Sequence, residues 1–228
     1  MHLLFVLILN SVFCFLGASG TGFIWSNETR LGRYQRAWNS LNKSVQEVYY
    51  YVKATELVYE TIYSGYNHPE LTQFKCWSVQ YTNLDKKAQT ASLKYYYTLT
   101  AISRRGQVHF RTAEGKTTRE LGYVTHNAVE YTYYPIAASS GEKEKNPVMF
   151  TDGKTCDLFY VPIANNGNGC ELWVKSEYKE NVPPCCSFMF DLLCGSHGSH
   201  DVYDKQLCKR VVDDWETLIA RKGYDALI

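Results

Sequence analysis

The chain has 228 residues, with 24 Lys and Arg against 23 Asp and Glu, so its formal net charge is +1. This balance excludes the strongly basic surface by which proteins bind nucleic acids or acidic membranes. A hydrophobic content of 45% is too high for a disordered chain. The length suits a single domain, and the 19 tyrosines favour strands over a helical core.

Residues 1–20 contain no Asp, Glu, Lys or Arg and end in the small residues of positions 17–20. Their apolar run of about 14 residues is shorter than the roughly 20 needed to span a bilayer. This pattern predicts a secretory signal peptide cleaved between Ala18 and Gly20. No later segment is apolar enough for a membrane span, so we expect a secreted, extracellular protein without a membrane partner.

The segment after the signal peptide is predicted to carry glycans and a helix. Sequons for N-glycosylation begin at Asn27 and Asn42. Across residues 30–45, aromatic and apolar side chains recur at helical spacing. An N-terminal helix therefore precedes the first strand.

From residue 46 onward, aromatic and β-branched residues alternate with polar ones, as in half-buried strands. We predict eight strands, at residues 46–56, 73–84, 91–103, 107–114, 119–125, 128–136, 154–163 and 170–178. Residues 139–146 are predicted to be a charged loop with no function. Eight short strands without intervening helices predict an all-β, antiparallel barrel or sandwich.

The C-terminal part is predicted to be helical. Two prolines at 183–184 precede a compact helical segment that ends near Cys194. Residues 209–228 are amphipathic and are predicted to pack on the barrel wall, with a partner-binding or surface-active helix as the alternative. The expected organisation is a signal peptide at 1–20, one domain at 21–208 and a helical extension at 209–228.

The cysteines indicate disulfides. Loss of Cys14 with the signal peptide leaves seven, at positions 76, 156, 170, 185, 186, 194 and 208. In an oxidising compartment these are expected to pair, and an odd number leaves one over. Because the spacing of a zinc site is absent, we predict no metal. No cofactor motif and no sequence signature of a hydrolase is present, so an enzyme is not expected.

Three sequence blocks together match a known family. They are QRAWNSLNKSVQEVYYYVKAT at 35–55, TCDLFYVP at 155–162 and CELWV at 170–174. Each block alone is weak, but in one chain they closely resemble the tick salivary lipocalins known as histamine-binding proteins, from about Trp25 to Cys208. The resemblance implies an eight-stranded antiparallel lipocalin barrel with flanking helices, stapled by disulfides. An eight-stranded barrel has room for one small ligand.

The resemblance also implies how the cysteines pair. Two bridges carry over by position and a third is expected from the remaining pair: Cys76 with Cys208, Cys156 with Cys186, and Cys170 with Cys194. Cys185 is then left over. It is expected to be a buried, inert thiol in a monomer, and a covalent dimer through Cys185 is the alternative.

Members of the family sequester small host mediators and thereby suppress inflammatory defence. The ligand is histamine or serotonin in some members and a lipid such as a leukotriene in others. A protonated amine inside a barrel needs carboxylates to offset its lost hydration, and aromatic faces add cation–π attraction. A lipid acid instead needs a long apolar channel that ends at a basic group.

Alternation places Glu171 and Trp173 on one strand face, and Asp157 on the face of its own strand that also carries Phe159. The resemblance implies that Glu171, Trp173 and Asp157 contact an amine. The third acid of this family site falls on Ser44.

At the second family site, Tyr131 matches a pocket tyrosine. Glu56 stands where the family has another tyrosine, and it is a candidate counter-ion. The strand-borne glutamate of that site falls on Ala113. The sequence therefore retains one amine site better than the other.

The predicted function is sequestration of a biogenic amine. One alternative is a scavenger of leukotriene or fatty-acid type lipids, for which Arg111, Lys94 or Lys53 would have to face inward; alternation puts Lys53 outside. The other is an antagonist of a host protein such as complement, acting through the insertion at 57–75, the charged loop and the tail.

Overall fold

The computed structural model describes residues 48–55, 59–63, 69–99, 108–134 and 142–208. The signal peptide, the N-terminal helix, both sequons and the extension at 209–228 lie outside the described residues and stay predictions. Within the described part of the chain, no helix is long and apolar enough to cross a membrane.

The described residues form ten strands, one complete α-helix and a helical turn at residues 205–208. The strands are β1 (Val48–Ala54), β2 (Tyr59–Tyr63), β3 (Pro69–Asp85), β4 (Thr90–Leu99), β5 (Val108–Thr118), β6 (Ala128–Tyr134), β7 (Glu142–Thr151), β8 (Cys156–Val161), β9 (Gly169–Lys175) and β10 (His200–Asp201). The helix α1 spans Pro184–Cys194. This is the all-β fold that the alternating sequence pattern predicts.

Eight of the strands close a barrel. Their order around it is β1, β9, β8, β7, β6, β5, β4 and β3, and antiparallel pairing of β3 with β1 joins the two ends. Strand β2 forms an antiparallel hairpin with the N-terminal part of β3, and the two-residue strand β10 pairs with the end of β1. The predicted eight-stranded antiparallel lipocalin barrel is confirmed.

One predicted strand and one predicted loop are wrong, and the two errors compensate in the number of barrel strands. Residues 119–125 turn the chain between β5 and β6 instead of forming a strand, because Leu121 and Gly122 both adopt positive φ, at 57° and 76°. The predicted loop at 139–146 instead contributes the start of β7. Its charges follow the strand alternation, since Lys143 and Lys145 form ion pairs on the outer face with Glu130.

The barrel wall separates two hydrophobic clusters. The inner cluster includes Tyr81, Leu93, Tyr131, Val148 and Trp173. The outer cluster lies between strands β8 and β9 and helix α1, whose buried residues recur at helical spacing on one face: Cys186, Met189, Phe190 and Cys194. Because successive strand residues point to opposite faces, β8 and β9 contribute to both clusters.

The three predicted disulfides are present. Cys156–Cys186 and Cys170–Cys194 fasten α1 to strands β8 and β9, and Cys76–Cys208 joins β3 to the chain beyond β10. Cys185 also forms a disulfide, and its partner lies outside the described residues. This pairing belongs to the full 228-residue chain. For the secreted chain, without the predicted signal peptide, the leftover Cys185 thiol and the alternative of a covalent dimer through it stay predictions.

Candidate functional site

The barrel encloses a cavity lined mainly by aromatic rings. The space open to the centre of a water molecule is about 80 Å³. By this measure one water needs about 10–15 Å³, so the cavity holds on the order of five to eight waters, which suits a small organic ligand. Six aromatic side chains of β3, β4, β6 and β9 belong to its wall: Trp77, Tyr81, Tyr95, Tyr131, Tyr133 and Trp173.

Strand β9 supplies the acidic group of the cavity. Glu171 and Trp173 both line it, as their shared strand face predicts. The indole Nε1 of Trp173 donates a hydrogen bond to Oε2 of Glu171, at 2.9 Å. This bond holds the carboxylate at the cavity wall.

Four tyrosines line the cavity together with this carboxylate: Tyr81, Tyr95 and Tyr131, which are buried, and Tyr133, which is partly buried. Of these, only Tyr131 is among the predicted site residues. Their hydroxyls interact in two hydrogen-bonded pairs, Tyr81 with Tyr131 and Tyr95 with Tyr133. Burial raises the pKa of all four phenols well above the ordinary value, and nearby carboxylates raise it further. The hydroxyls therefore stay protonated and neutral at physiological pH.

The rings also pack against one another. Tyr95 meets Trp173 edge to face, with centroids 6.2 Å apart, and lies 5.8 Å from Tyr133. At the other side, Trp77 stacks on Tyr97 with centroids 5.3 Å apart. Such contacts between rings fix the shape of the cavity before a ligand arrives.

Asp157 lies inside the barrel but is not part of the cavity wall. It is only 2% exposed and pairs in register with Trp173, two residues along the strands from the pair formed by Phe159 and Glu171. Its charge contributes to the raised pKa of Tyr81, after burial itself. Asp157 is thus not among the described residues that line the cavity, and its predicted contact with a ligand stays a prediction.

Sequence reasoning missed two polar residues of β7. In the register of β6 with β7, Tyr131 lies opposite Glu144 and Val129 lies opposite Asn146. Opposing residues share a sheet face, so Glu144 and Asn146 point inward, and Asn146 lines the cavity. The strict alternation of Glu and Lys from residue 142 to 145 is the signal that would have indicated a strand.

The remaining candidates fall in three places. Glu56 and Ser44 lie outside the described residues. Lys53 faces outward, as predicted, with its Nζ 3.7 Å from Asp191 and 5.3 Å from the ring centre of Phe190. Arg111 pairs in register with Tyr95 and so lies on the inner sheet face.

Lys94 and Ala113 complete the predicted set. Lys94 lies one residue from Tyr95 and therefore on the outer sheet face, where a ligand inside the barrel cannot reach it. Ala113 is buried in the inner cluster and brings no charge to the site. The only candidate cation that the described register places on the inner face is therefore Arg111.

An eight-stranded antiparallel barrel around a small aromatic cavity defines a lipocalin that binds a small ligand. Residues 25–210 match the model of the family described as tick histamine binding protein. The chain belongs to this family.

Curated relatives agree with this assignment. The male-specific histamine-binding salivary protein of Rhipicephalus appendiculatus is 25% identical over 191 residues, which cover 81% of this chain and 86% of the relative. The female-specific histamine-binding protein 1 of the same tick is 25% identical over 182 residues, covering 79% and 85%.

Two solved structures are also similar. Japanin from Rhipicephalus appendiculatus, bound to cholesterol, has 12% identity and a TM-score of 0.48, with 72% of this chain and 97% of that chain covered. Insecticyanin from the tobacco hornworm Manduca sexta has 14% identity and a TM-score of 0.44, with 74% and 82% covered.

Proposed function

We propose that the protein sequesters a protonated biogenic amine, histamine or serotonin, inside the barrel, and so removes an inflammatory mediator of the host. The observation that carries this proposal is Glu171, a carboxylate held by Trp173 at the wall of a cavity made mostly of aromatic rings. Among the described residues that line the cavity there is no Lys or Arg.

The charges and rings suit a cation. An ammonium group that leaves water loses hydration, and a positioned carboxylate offsets this loss by forming an ion pair. Each ring face adds a cation–π attraction of roughly 0.5–2 kcal/mol. Glu144 and Asp157, which also lie on the inner face, add negative potential near the same tyrosines.

The size of the cavity supports the same choice. The space open to the centre of a water molecule is only about 80 Å³. Such a cavity suits a ligand of a few heavy atoms better than a long fatty acyl chain. The two tick relatives are named for histamine binding. The proposal extends that ligand class to this chain, together with the salivary origin that the name of the male-specific relative gives.

One observation favours the alternative of a lipid acid. Arg111 lies on the inner face, opposite Tyr95 in register, where it can pair with the carboxylate of a ligand. The carboxylate of Glu171 would repel the same ligand, so the amine is the better match.

The test is calorimetric titration of the secreted, disulfide-intact protein with histamine, serotonin and a leukotriene. We expect an amine to bind and Glu171→Gln to weaken it by at least about 30-fold, since removing one member of a desolvated charge pair costs about 2–5 kcal/mol. The matched control is Glu114→Gln, because Glu114 is exposed on the outer face of β5. This control should leave the affinity unchanged.

Other outcomes would redirect the assignment. Binding of the leukotriene without either amine would make the protein a lipid scavenger. If none of the three binds, the amine proposal fails, and a pull-down from host plasma would test the protein-antagonist alternative.

A further inference from the structure

We propose that Asn146 determines ligand specificity in this cavity by accepting a hydrogen bond from a second donor group of the ligand, apart from its ammonium. Glu144 acts as the positioning residue that turns the Asn146 amide for this role. The inference rests on the proposed amine-binding function and narrows its ligand class to small primary amines that carry another N–H or O–H donor.

The first step is the orientation of the Asn146 amide. Its Nδ2 donates to Oε1 of Glu144 at 2.7 Å. An ionised carboxylate only accepts hydrogen bonds, so the amide nitrogen must be the atom on that side. The flipped amide would bring two acceptor oxygens together, and Oδ1 is therefore directed away from Glu144.

The second step is the state of Oδ1. Asn146 is 4% exposed, and its Oδ1 is buried without a hydrogen-bond donor among the described residues. On the same inner face, the nearest neighbours along and across the strands are Val148 and Val129, whose side chains cannot donate. A buried acceptor left unsatisfied costs about 1–3 kcal/mol, which a ligand donor can remove.

The third step is the position of Asn146 relative to Glu171. Both residues line the same cavity. They lie on β7 and β9, with only β8 between these strands in the barrel order. A small ligand can therefore meet Glu171 with its ammonium and Asn146 with a ring N–H or a hydroxyl. An amine without the second donor leaves Oδ1 unsatisfied.

The experiment compares two amines of similar shape. Histamine and 2-(2-pyridyl)ethylamine both carry an ethylammonium arm on a flat ring, but only histamine has a ring N–H. Tyramine and phenethylamine give the same comparison for a hydroxyl. For wild-type protein we expect the donor-bearing amine of a pair to bind at least about tenfold more tightly, the effect of one hydrogen bond in a buried site.

The variants separate a specific role from a structural one, because the measured quantity is the ratio of two affinities. Asn146→Leu should reduce the ratio to within about twofold of one and keep the binding of the donor-free amine. Glu144→Gln should lower the ratio partly, since a glutamine amide no longer forces the Asn146 orientation. The control is Asn127→Leu: Asn127 is buried and accepts the Glu120 N–H at 2.9 Å, but it does not line the cavity.

Each result decides the inference. Equal affinity of wild type for both amines of each pair, or an unchanged ratio in Asn146→Leu, would overturn it while leaving the amine proposal intact. Absence of any amine binding by wild type would overturn the proposed function and this inference together. A ratio that falls equally in Asn127→Leu would also overturn the assignment to Asn146.

Discussion

Asp152 shows how one side chain sets the geometry of a turn next to the site. Its Oδ1 accepts the backbone N–H groups of Lys154, Thr155 and Cys156, at 2.7, 2.7 and 3.1 Å. The turn joins β7 to β8 and precedes Asp157. Burial acts to raise the pKa of Asp152, but the hydrogen bonds from Thr155 and the backbone outweigh it, so the pKa is lowered.

This lowered pKa predicts an acid-sensitive stability. A carboxyl group whose pKa is lower in the folded than in the unfolded state stabilises the protein at pH values above the unfolded-state pKa, which is about 3.9. This contribution is lost as the pH falls through the folded-state pKa. We expect Asp152→Asn to cost about 1 kcal/mol at pH 7, where charge-assisted bonds are lost, and little at pH 2. Urea unfolding at both pH values measures the difference.

The control for this prediction is another aspartate turn. Asp85 accepts the N–H groups of Lys87 and Ala88, but it is exposed. Asp85→Asn should therefore cost less at pH 7. A cost of Asp152→Asn that is the same at pH 7 and pH 2 would contradict the role of its charge.

Among the secondary-structure elements, the β8–β9 connection places the acid of the site. Strand β9 begins at Gly169, two residues before Glu171. A Cβ at Gly169 would lie 2.4 Å from the carbonyl oxygen of Val161 and 2.6 Å from Cβ of Ala164. Only glycine allows the two chain segments to approach this closely.

Gly169→Ala is therefore expected to destabilise the protein by about 1–3 kcal/mol, because the backbone must move to relieve the overlap. Since β9 carries Glu171 and Trp173, we also expect weaker amine binding. Gly195→Ala is the matched control, as its Cβ would meet nothing closer than 3.8 Å. Thermal unfolding of the two variants compares them, and equal melting temperatures would contradict the steric argument.

Across the whole molecule, the disulfides differ in the length of chain that they close. Cys76–Cys208 spans 132 residues, whereas Cys156–Cys186 and Cys170–Cys194 span 30 and 24. Closing a longer loop removes more entropy from the unfolded chain. The bridge between β3 and the chain beyond β10 should therefore contribute most to the free energy of unfolding.

From the dependence of loop entropy on loop length, we expect replacement of both Cys76 and Cys208 by Ala to lower the free energy of unfolding by about 5 kcal/mol. The same replacement of Cys156 and Cys186 should lower it by about 3.5 kcal/mol. Denaturant unfolding of the two double variants measures these costs. If the shorter bridge proves the more stabilising one, its local fastening of α1 to β8 outweighs the entropy of the loop.

The sequence was sufficient for much of the fold. Alternation located most barrel strands, and the segment after the two prolines indicated α1. The family resemblance implied two of the disulfides, and the third was expected from cysteines that remained. Prediction from the sequence failed where a charged segment lies in a strand of the barrel wall. The Glu and Lys residues from 142 to 145 suggested a solvated loop, yet β7 places the lysines outside and Glu144 inside. The apolar residues near Leu121 suggested a strand where the chain turns.

For the site, the sequence by itself determined which residues share a strand face, because the period of two is a local property of the backbone. It therefore paired Glu171 with Trp173. Only the tertiary structure decided which strands are neighbours and in what register. Those long-range pairings bring Asn146 and four tyrosines to the cavity of Glu171, and they leave Asp157 outside its wall. The reason is physical: the surroundings of a side chain depend on partner strands that are distant in sequence.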